Sequence, residues 1–150
     1  MLSFPWQLLH LPVIGYLLGK LNNKYTFAIN LNRVFGSGTS PTIAEFYNFW
    51  AIVRHNHGYR VFGDILSYLD ERFEHEDRWV SAMKNTKIPL QFIYGHSDPV
   101  NPPPFEKMYH KLIYNPYFDK LDENIGHYPH FEAPEEVVKR LNLFLHKKGF

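Results

Sequence analysis

Two side chains in the C-terminal half have the types and spacing for proton-transfer chemistry. Asp98 stands in Gly95-His-Ser-Asp98-Pro-Val100, and His127 in Asn124-Ile-Gly126-His127-Tyr-Pro-His130-Phe-Glu132. A carboxylate that accepts a hydrogen bond from one imidazole nitrogen fixes the ring's tautomer and leaves the other nitrogen to take a proton as general base. Alone, an Asp before a proline is ordinarily a local turn cap, and one of nine histidines is ordinarily a packing residue. Their placement on paired loops changes that reading. His130 is the weaker rival for the histidine. His96 would join Asp98 and His127 around a metal only if several ligands converged from separate loops, so no metal is expected.

The elements that must position these loops follow from the apolar pattern. Ile88-PLQFI-Tyr94 is a short continuous apolar run ending at Gly95, the pattern of a strand buried on both faces. Pro104 to Tyr114 reads as a helix and Tyr117 to Leu121 as a second short strand. Ala133 to Lys147 reads as a closing helix, with Pro134 in its first turn and Lys147 and Lys148 at its end. Strand, helix, strand, helix is the end of a doubly wound α/β sheet, in which chemistry sits beyond the carboxyl ends of the strands. Asp98 and His127 lie on those two loops. Two strands alone would leave one edge of the sheet bare, so the sheet expects more strands than this chain supplies.

The texture changes near Lys84-Asn-Thr-Lys-Ile-Pro89, which divides the chain into a helical region, 1–86, and a region of strands and helices, 87–150. Ser40 as N-cap, Pro41 at the first helical position and Glu45 in the first turn predict a helix reaching Asn56. Phe46, Phe49, Trp50 and Val53 share its face. A second helix is expected from Tyr59 to about Arg72, carrying Val61, Ile65, Leu66 and Leu69. A third is expected from Asp77, with Trp79 and Met83 on one side. The apolar run from Met1 to Lys20 is broken by Pro5, His10, Pro12 and Gly15, and Lys20 is its first basic residue. It predicts two short amphipathic helices rather than a signal peptide or a membrane span.

Composition narrows the classes of partner. With 45% hydrophobic and 17% aromatic residues, the 150-residue chain is rich enough in apolar side chains to build a core. Sixteen Lys and Arg against fifteen Asp and Glu leave a formal charge of +1 with no basic stripe, which argues against nucleic acid. The absence of cysteine excludes disulfides and thiolate metal sites. Gly36-Ser-Gly-Thr-Ser40 lacks the lysine of a phosphate-binding loop and reads as a plain loop, which argues against nucleotide binding.

Tyr94-GHSDPVNP and Ile125-GHYPHFEAPEEV together resemble the acid and histidine signatures of the α/β-hydrolase superfamily. Pro41-TIAEFYNFWAIVRHNHGYR, Leu66-SYLDER and Trp79 resemble the cap of its epoxide hydrolase and haloalkane dehalogenase branch. The resemblance implies the C-terminal portion of an α/β-hydrolase fold, parallel strands with helices, preceded by a helical cap over 1–86. It implies Asp98 and His127 as catalytic acid and base, and Trp50 and Tyr68 as cap residues facing an apolar small-molecule substrate, with no cofactor. The full-length form would hydrolyse an ester, epoxide or carbon–halogen bond through a covalent intermediate. It also allows membrane association through a region N-terminal to this chain, with the endoplasmic reticulum membrane or the cytoplasm as compartment. No Gly-x-Ser-x-Gly elbow occurs, so the chain alone is expected to be inactive. A truncated, non-catalytic interaction module is the alternative.

Overall fold

The computed structural model describes residues 23–61, 64–65 and 68–150, with Leu69 described by its backbone only. The expected amphipathic helices between Met1 and Lys20 lie outside the described residues. Two compact units emerge: the described residues up to Asn30 with Pro41–Arg78, and Leu31–Ser40 with Trp79–Phe150.

The first unit is helical. α1 (Lys24–Asn32) starts at Asn23, whose Oδ1 accepts from the N–H groups of Tyr25 and Thr26 at 2.9 and 3.1 Å and so satisfies two donors that the first turn leaves open. α2 (Ile43–Arg54) begins two residues later than Ser40 and Pro41 predict. Its N-cap is Thr42, whose hydroxyl accepts from Glu45 N–H at 3.3 Å while the Glu45 carboxylate accepts from Thr42 N–H at 2.7 Å. This reciprocal capping box needs Thr and Glu three residues apart, a spacing that Ser40 does not have. Phe46, Phe49, Trp50 and Val53 are half-buried, whereas Ile52 on another face is exposed, as the 3.6-residue period requires; Ile43, on the same stripe but in the first turn, is exposed as well. Phe27 of α1 meets Trp50 of α2 with ring centroids 5.4 Å apart.

After α2 the chain runs through a 3-10 segment (His55–Val61), in which Asn56 and His57 adopt left-handed φ values of 47° and 59°. The break therefore falls before Gly58. Within the stretch expected to be helical from Tyr59 to about Arg72, Tyr59 to Val61 belong to that 3-10 segment, Asp64 and Ile65 are helical and α3 (Tyr68–Glu74) follows, the positions between them lying outside the described residues. α4 (Glu76–Asn85) follows, with Glu76 and Asp77 in its first turn and Lys84 in its last, in the sense the helix dipole favours.

The second unit holds a parallel pair of strands, β1 (Gln91–Tyr94) and β2 (Tyr117–Lys120), in the register Phe92 opposite Phe118 and Tyr94 opposite Lys120. Both strands are shorter than the apolar runs suggest. α5 (Pro104–Leu112) makes the crossover between them. Side chains alternate across the pleat, so Phe92, Tyr94 and Phe118 share one face and meet Phe105 and Tyr109 of α5. Phe92 and Phe118 stack at 5.6 Å with planes 7° apart, and Phe92 lies 5.0 Å from Phe105 and 5.3 Å from Tyr109.

The opposite face meets the closing helix α7 (Pro134–Lys148). There Tyr117 packs edge-on against Phe144 at 5.1 Å. Gln91 Nε2 donates to Asp119 at 2.7 Å and to the Arg140 carbonyl at 3.2 Å. Helices on both faces of a parallel pair are the arrangement of the α/β class. α7 ends at Gly149, whose φ of 83° is the left-handed conformation that lets its N–H return to the His146 carbonyl.

The aromatic layer between β1, β2 and α5 is the part of this unit that burial stabilises most. Phe92→Ala removes the ring that touches Phe105, Tyr109 and Phe118 together. It is expected to lower unfolding free energy by about 3 kcal/mol, near the lower end for Phe deletion because Phe92 is half-buried. Urea denaturation followed by far-UV circular dichroism measures this, and a loss of only a few tenths would mean the layer contributes little.

Candidate functional site

The loops that leave the two strands meet at the carboxyl end of the sheet. The first leaves β1 at Gly95, turns through the Asp98 N–H to Gly95 carbonyl hydrogen bond at 3.1 Å, and carries Asp98. The second leaves β2 through Leu121, whose N–H donates to the Tyr94 carbonyl at 2.8 Å, and carries His127. Ser97 N–H donates to the Ile125 carbonyl at 2.8 Å, and the Ser97 hydroxyl donates to the Glu123 carbonyl, stitching one loop to the other.

Their approach is close enough to admit only glycine. A Cβ on Gly95 would lie 1.9 Å from the Gly126 carbonyl oxygen. On Gly126 it would lie 2.5 Å from Gly36 N, and on Gly36 it would lie 1.8 Å from the Asn124 carbonyl oxygen. Backbone fills each of these spaces, so no side-chain adjustment could relieve the clash.

Within this frame Asp98 and His127 are brought together, with Nδ1 of the ring 3.0 Å from Oδ1 of the carboxylate. Asp98 is buried, and its other hydrogen bonds come from its own loop. Oδ1 also accepts from Val100 N–H at 2.8 Å and Asn101 N–H at 3.2 Å, and Oδ2 accepts from Asn101 Nδ2 at 3.0 Å. Burial alone would raise the Asp98 pKa. The hydrogen bonds from His127, then from the Asn101 side chain and the Val100 and Asn101 amides, outweigh it and hold the carboxyl below its ordinary value.

An ionised carboxylate only accepts hydrogen bonds, so His127 Nδ1 is the protonated nitrogen and Nε2 is left to take up a proton. The His127 side chain keeps 29% of its surface exposed against 7% for Asp98, so the proton-accepting partner is the accessible one.

A seat of aromatic rings lies under the histidine. His127 meets Tyr128 edge-on at 4.9 Å, and Phe35, itself buried, packs against Tyr128 at 5.2 Å and Phe131 at 5.7 Å. His127 N–H donates to the Val34 carbonyl at 2.8 Å. The segment that reads in sequence as a plain glycine-rich loop is therefore a wall of the site.

The stretch after His127 also differs from an open loop. Pro129 starts a one-turn helix, α6 (Pro129–Glu132), in which the Tyr128 carbonyl accepts from the N–H groups of Phe131 and Glu132 at 2.8 and 2.9 Å. That turn sends the Glu132 side chain back to the amides of Gly126 and Tyr128 at 2.8 and 3.0 Å. Sequence reasoning missed Glu132 and Asn101 because each acts through backbone amides or another side chain's carboxylate. The signal that could have found Glu132 is an acid four residues after Tyr128, with Pro129 between them to start the turn.

The other singled-out residues fall elsewhere. His130 is exposed, 6.0 Å from the Tyr128 ring, and Asp98 pairs with His127. Among the described residues no three His, Cys, Asp or Glu side chains converge to hold a metal ion. Trp50 and Tyr68 belong to the first unit. Trp50 is half-buried against Phe27, with the Arg54 guanidinium 5.9 Å from its ring, and Tyr68 opens α3 with 43% of its surface exposed. No described helix is long and apolar enough to cross a membrane.

An acid and a histidine are thus paired on successive strand-end loops of a parallel sheet, in a partial α/β arrangement. Over most of its length the chain has named homologues. The chain is homologous to the mesoderm-specific transcript protein of Mus musculus, 39% identical over 123 residues that make up 81% of this chain and 37% of that protein. The Bos taurus homologue is 40% identical over the same shares. A Mycobacterium tuberculosis protein named "Putative hydrolase LipZ" is 30% identical over 126 residues, 84% of this chain and 43% of that protein. The chain thus spans well under half the length of the curated relatives it matches. No protein-family model matches it, and no solved structure does.

The lowered Asp98 pKa fixes a sign for stability against pH. The contribution is fully present above the unfolded-state carboxyl value of about 3.9 and is lost as pH falls below it through the lower folded-state value. Urea denaturation at pH 7 and pH 3 should show a smaller acid-induced loss of stability in Asp98→Asn than in the native chain. Equal losses in the two proteins would contradict the assignment.

Proposed function

We propose that this chain supplies the acid and the histidine of an α/β-hydrolase active site, together with the helical cap that shapes its substrate pocket. The observation that carries the reading is the 3.0 Å contact between His127 Nδ1 and a buried, fully hydrogen-bonded Asp98, with the ring otherwise accessible. In this reading Asp98 holds the tautomer and stabilises the imidazolium, while His127 Nε2 removes a proton from a nucleophile or from water. Homology to a protein named as a hydrolase supports the class.

The whole protein then hydrolyses an ester, epoxide or carbon–halogen bond of an apolar small molecule through a covalent intermediate. A nucleophile from outside these residues completes the triad, because none of the 150 residues forms a Gly-x-Ser-x-Gly elbow. A serine there gives an acyl-enzyme and an aspartate an alkyl-enzyme, and His127 activates the water that resolves either one. In this reading Trp50 and Tyr68 are the substrate-facing residues of the first unit, Tyr68 donating to the ring oxygen where the substrate is an epoxide. The missing elbow also supports a second reading, a non-catalytic interaction module that retains the cap and the dyad.

A form of the protein carrying this chain with a nucleophile segment decides between them. Turnover of p-nitrophenyl butyrate or styrene oxide should fall about ten-thousand-fold in His127→Ala, and where the nucleophile is an aspartate a covalent adduct should be visible by intact mass. In His130→Ala it should change only a few-fold. Unchanged steady-state turnover in His127→Ala would sink the catalytic role, and the reverse ranking would move that role to His130. Absence of turnover in the unaltered form leaves the interaction module standing.

A further inference from the structure

Glu132 performs no proton chemistry in the scheme above, yet its carboxylate gathers hydrogen-bond donors from three places in the second unit. Oε2 accepts from Gly36 N–H at 2.8 Å, Gly126 N–H at 2.8 Å and the Thr39 hydroxyl at 2.5 Å, and Oε1 accepts from Tyr128 N–H at 3.0 Å. Gly126 and Tyr128 are the residues immediately before and after His127. The His127 amide itself is bound to the Val34 carbonyl at 2.8 Å, so three successive amides around the catalytic ring are fixed by partners outside that tripeptide. Two of the three are fixed by one side chain.

The chemistry of the contact demands a carboxylate. Three backbone N–H groups converge on two oxygens, so both oxygens must accept. A glutamine in the same place has one oxygen and one NH2 group. Turned either way it sets its NH2 against at least one backbone N–H, and a donor facing a donor in a part-buried site is costly. An alanine would leave all three amides and the Thr39 hydroxyl without this acceptor.

We infer that Glu132 is a positioning residue: its carboxylate clamps the peptide on both sides of His127 and thereby holds the imidazole against Asp98. Thr39 is the clamp's outer contact, reached from the far side of the glycine wall. The inference rests on the proposed dyad, and the clamp acts on the dyad's order rather than on the folding of the sheet. The backbone around His127 has no other restraint of this density: β2 ends at Lys120 and α7 begins at Pro134, leaving His127 on a connection that the amides and the single turn of α6 must order.

The test reads the His127 Nδ1 proton in the 150-residue chain by NMR, identified by its absence in His127→Ala. The Leu121 amide, hydrogen-bonded to Tyr94 at 2.8 Å, serves as the reporter for opening of the sheet. Glu132→Gln should accelerate solvent exchange of the ring proton about ten-fold or more, through the loss of a part-buried acceptor, while Leu121 exchange stays within about two-fold. A merely structural role would accelerate both protons together, and that result, or an unchanged ring proton, overturns the inference. Asp98→Ala separates the underlying reading. If it leaves the ring proton unmoved, the dyad fails and the clamp with it; if it removes the signal and Glu132→Gln does not disturb it, only the clamp fails. Should Glu132→Gln not fold, Thr39→Val keeps the carboxylate and three amide contacts and should still accelerate ring-proton exchange about three-fold. No acceleration in that variant overturns the inference equally.

Discussion

The rest of the site depends on the contact of three backbones at Gly36, Gly95 and Gly126. The 3.0 Å hydrogen bond joins side chains on two loops that also stand in van der Waals contact with each other. Here they do so peptide against peptide, in spaces where a Cβ would fall within 2.5 Å of backbone atoms. Glycine at these points is a condition of the pairing, because a methyl group on any of the three would push a strand-end loop outward. The displacement would carry Asp98 or His127 with it, and a charge-assisted hydrogen bond weakens steeply over a few tenths of an ångström. The Ser97-to-Ile125 and His127-to-Val34 amide bonds then set the register of the contact that glycine permits.

The electrostatics of Asp98 follow from the same enclosure. Burying a carboxylate costs free energy unless its lone pairs are met, and the enclosed loop meets them with two amides, one side-chain amide and one imidazole. Three of those four donors lie within three residues of Asp98, so the acid is stabilised as an anion by its own loop. The hydrogen bond from His127 adds to that stabilisation and at the same time orients the ring. Tyr94 secures the loop from below: almost fully buried, it donates through its hydroxyl to the Asn101 carbonyl at 2.6 Å, which ties the end of β1 to the residue that caps Asp98. The packed aromatic layer and the site therefore share one residue.

Legibility in the sequence followed the range of the interaction. Helix α2 could be read because its apolar period is local, and its start was misplaced by two residues because Ser40, Pro41 and Thr42 all suit a helix entrance; only the reciprocal bond between Thr42 and Glu45 separates them. The alternation of strand, helix, strand and helix was legible, but the strands proved four residues long because pairing extends only where both chains run side by side. Asp98 and His127 could be singled out because each sits at a fixed place after a strand. Glu132 and the 34–39 segment could not. Their contact joins residues 93 and 96 apart through amides that every residue type possesses, and nothing in composition or period marks it. Asn56 and His57 turn left-handed just ahead of the helix predicted from Tyr59, a conformation that asparagine tolerates and that no hydrophobic period reports.

The dyad does not by itself choose among hydrolytic chemistries, and its geometry explains why. In the proposed reading, whether a serine or an aspartate stands opposite, the histidine presents an unprotonated nitrogen where a proton must be removed: from the serine hydroxyl before attack, or from the water that breaks a covalent ester. Both tasks require Nδ1 to carry the proton and Nε2 to be bare, and an anionic Asp98 imposes that tautomer in either case. The accessible ring and the enclosed acid divide the work accordingly, with everything that sets the tautomer inside the loops of 94–101 and everything that sets the ring's position in 34–39 and 124–132. The Asp98–His127 pair is self-contained in the second unit, and under the proposed reading the group placed opposite Nε2 determines which bond is broken.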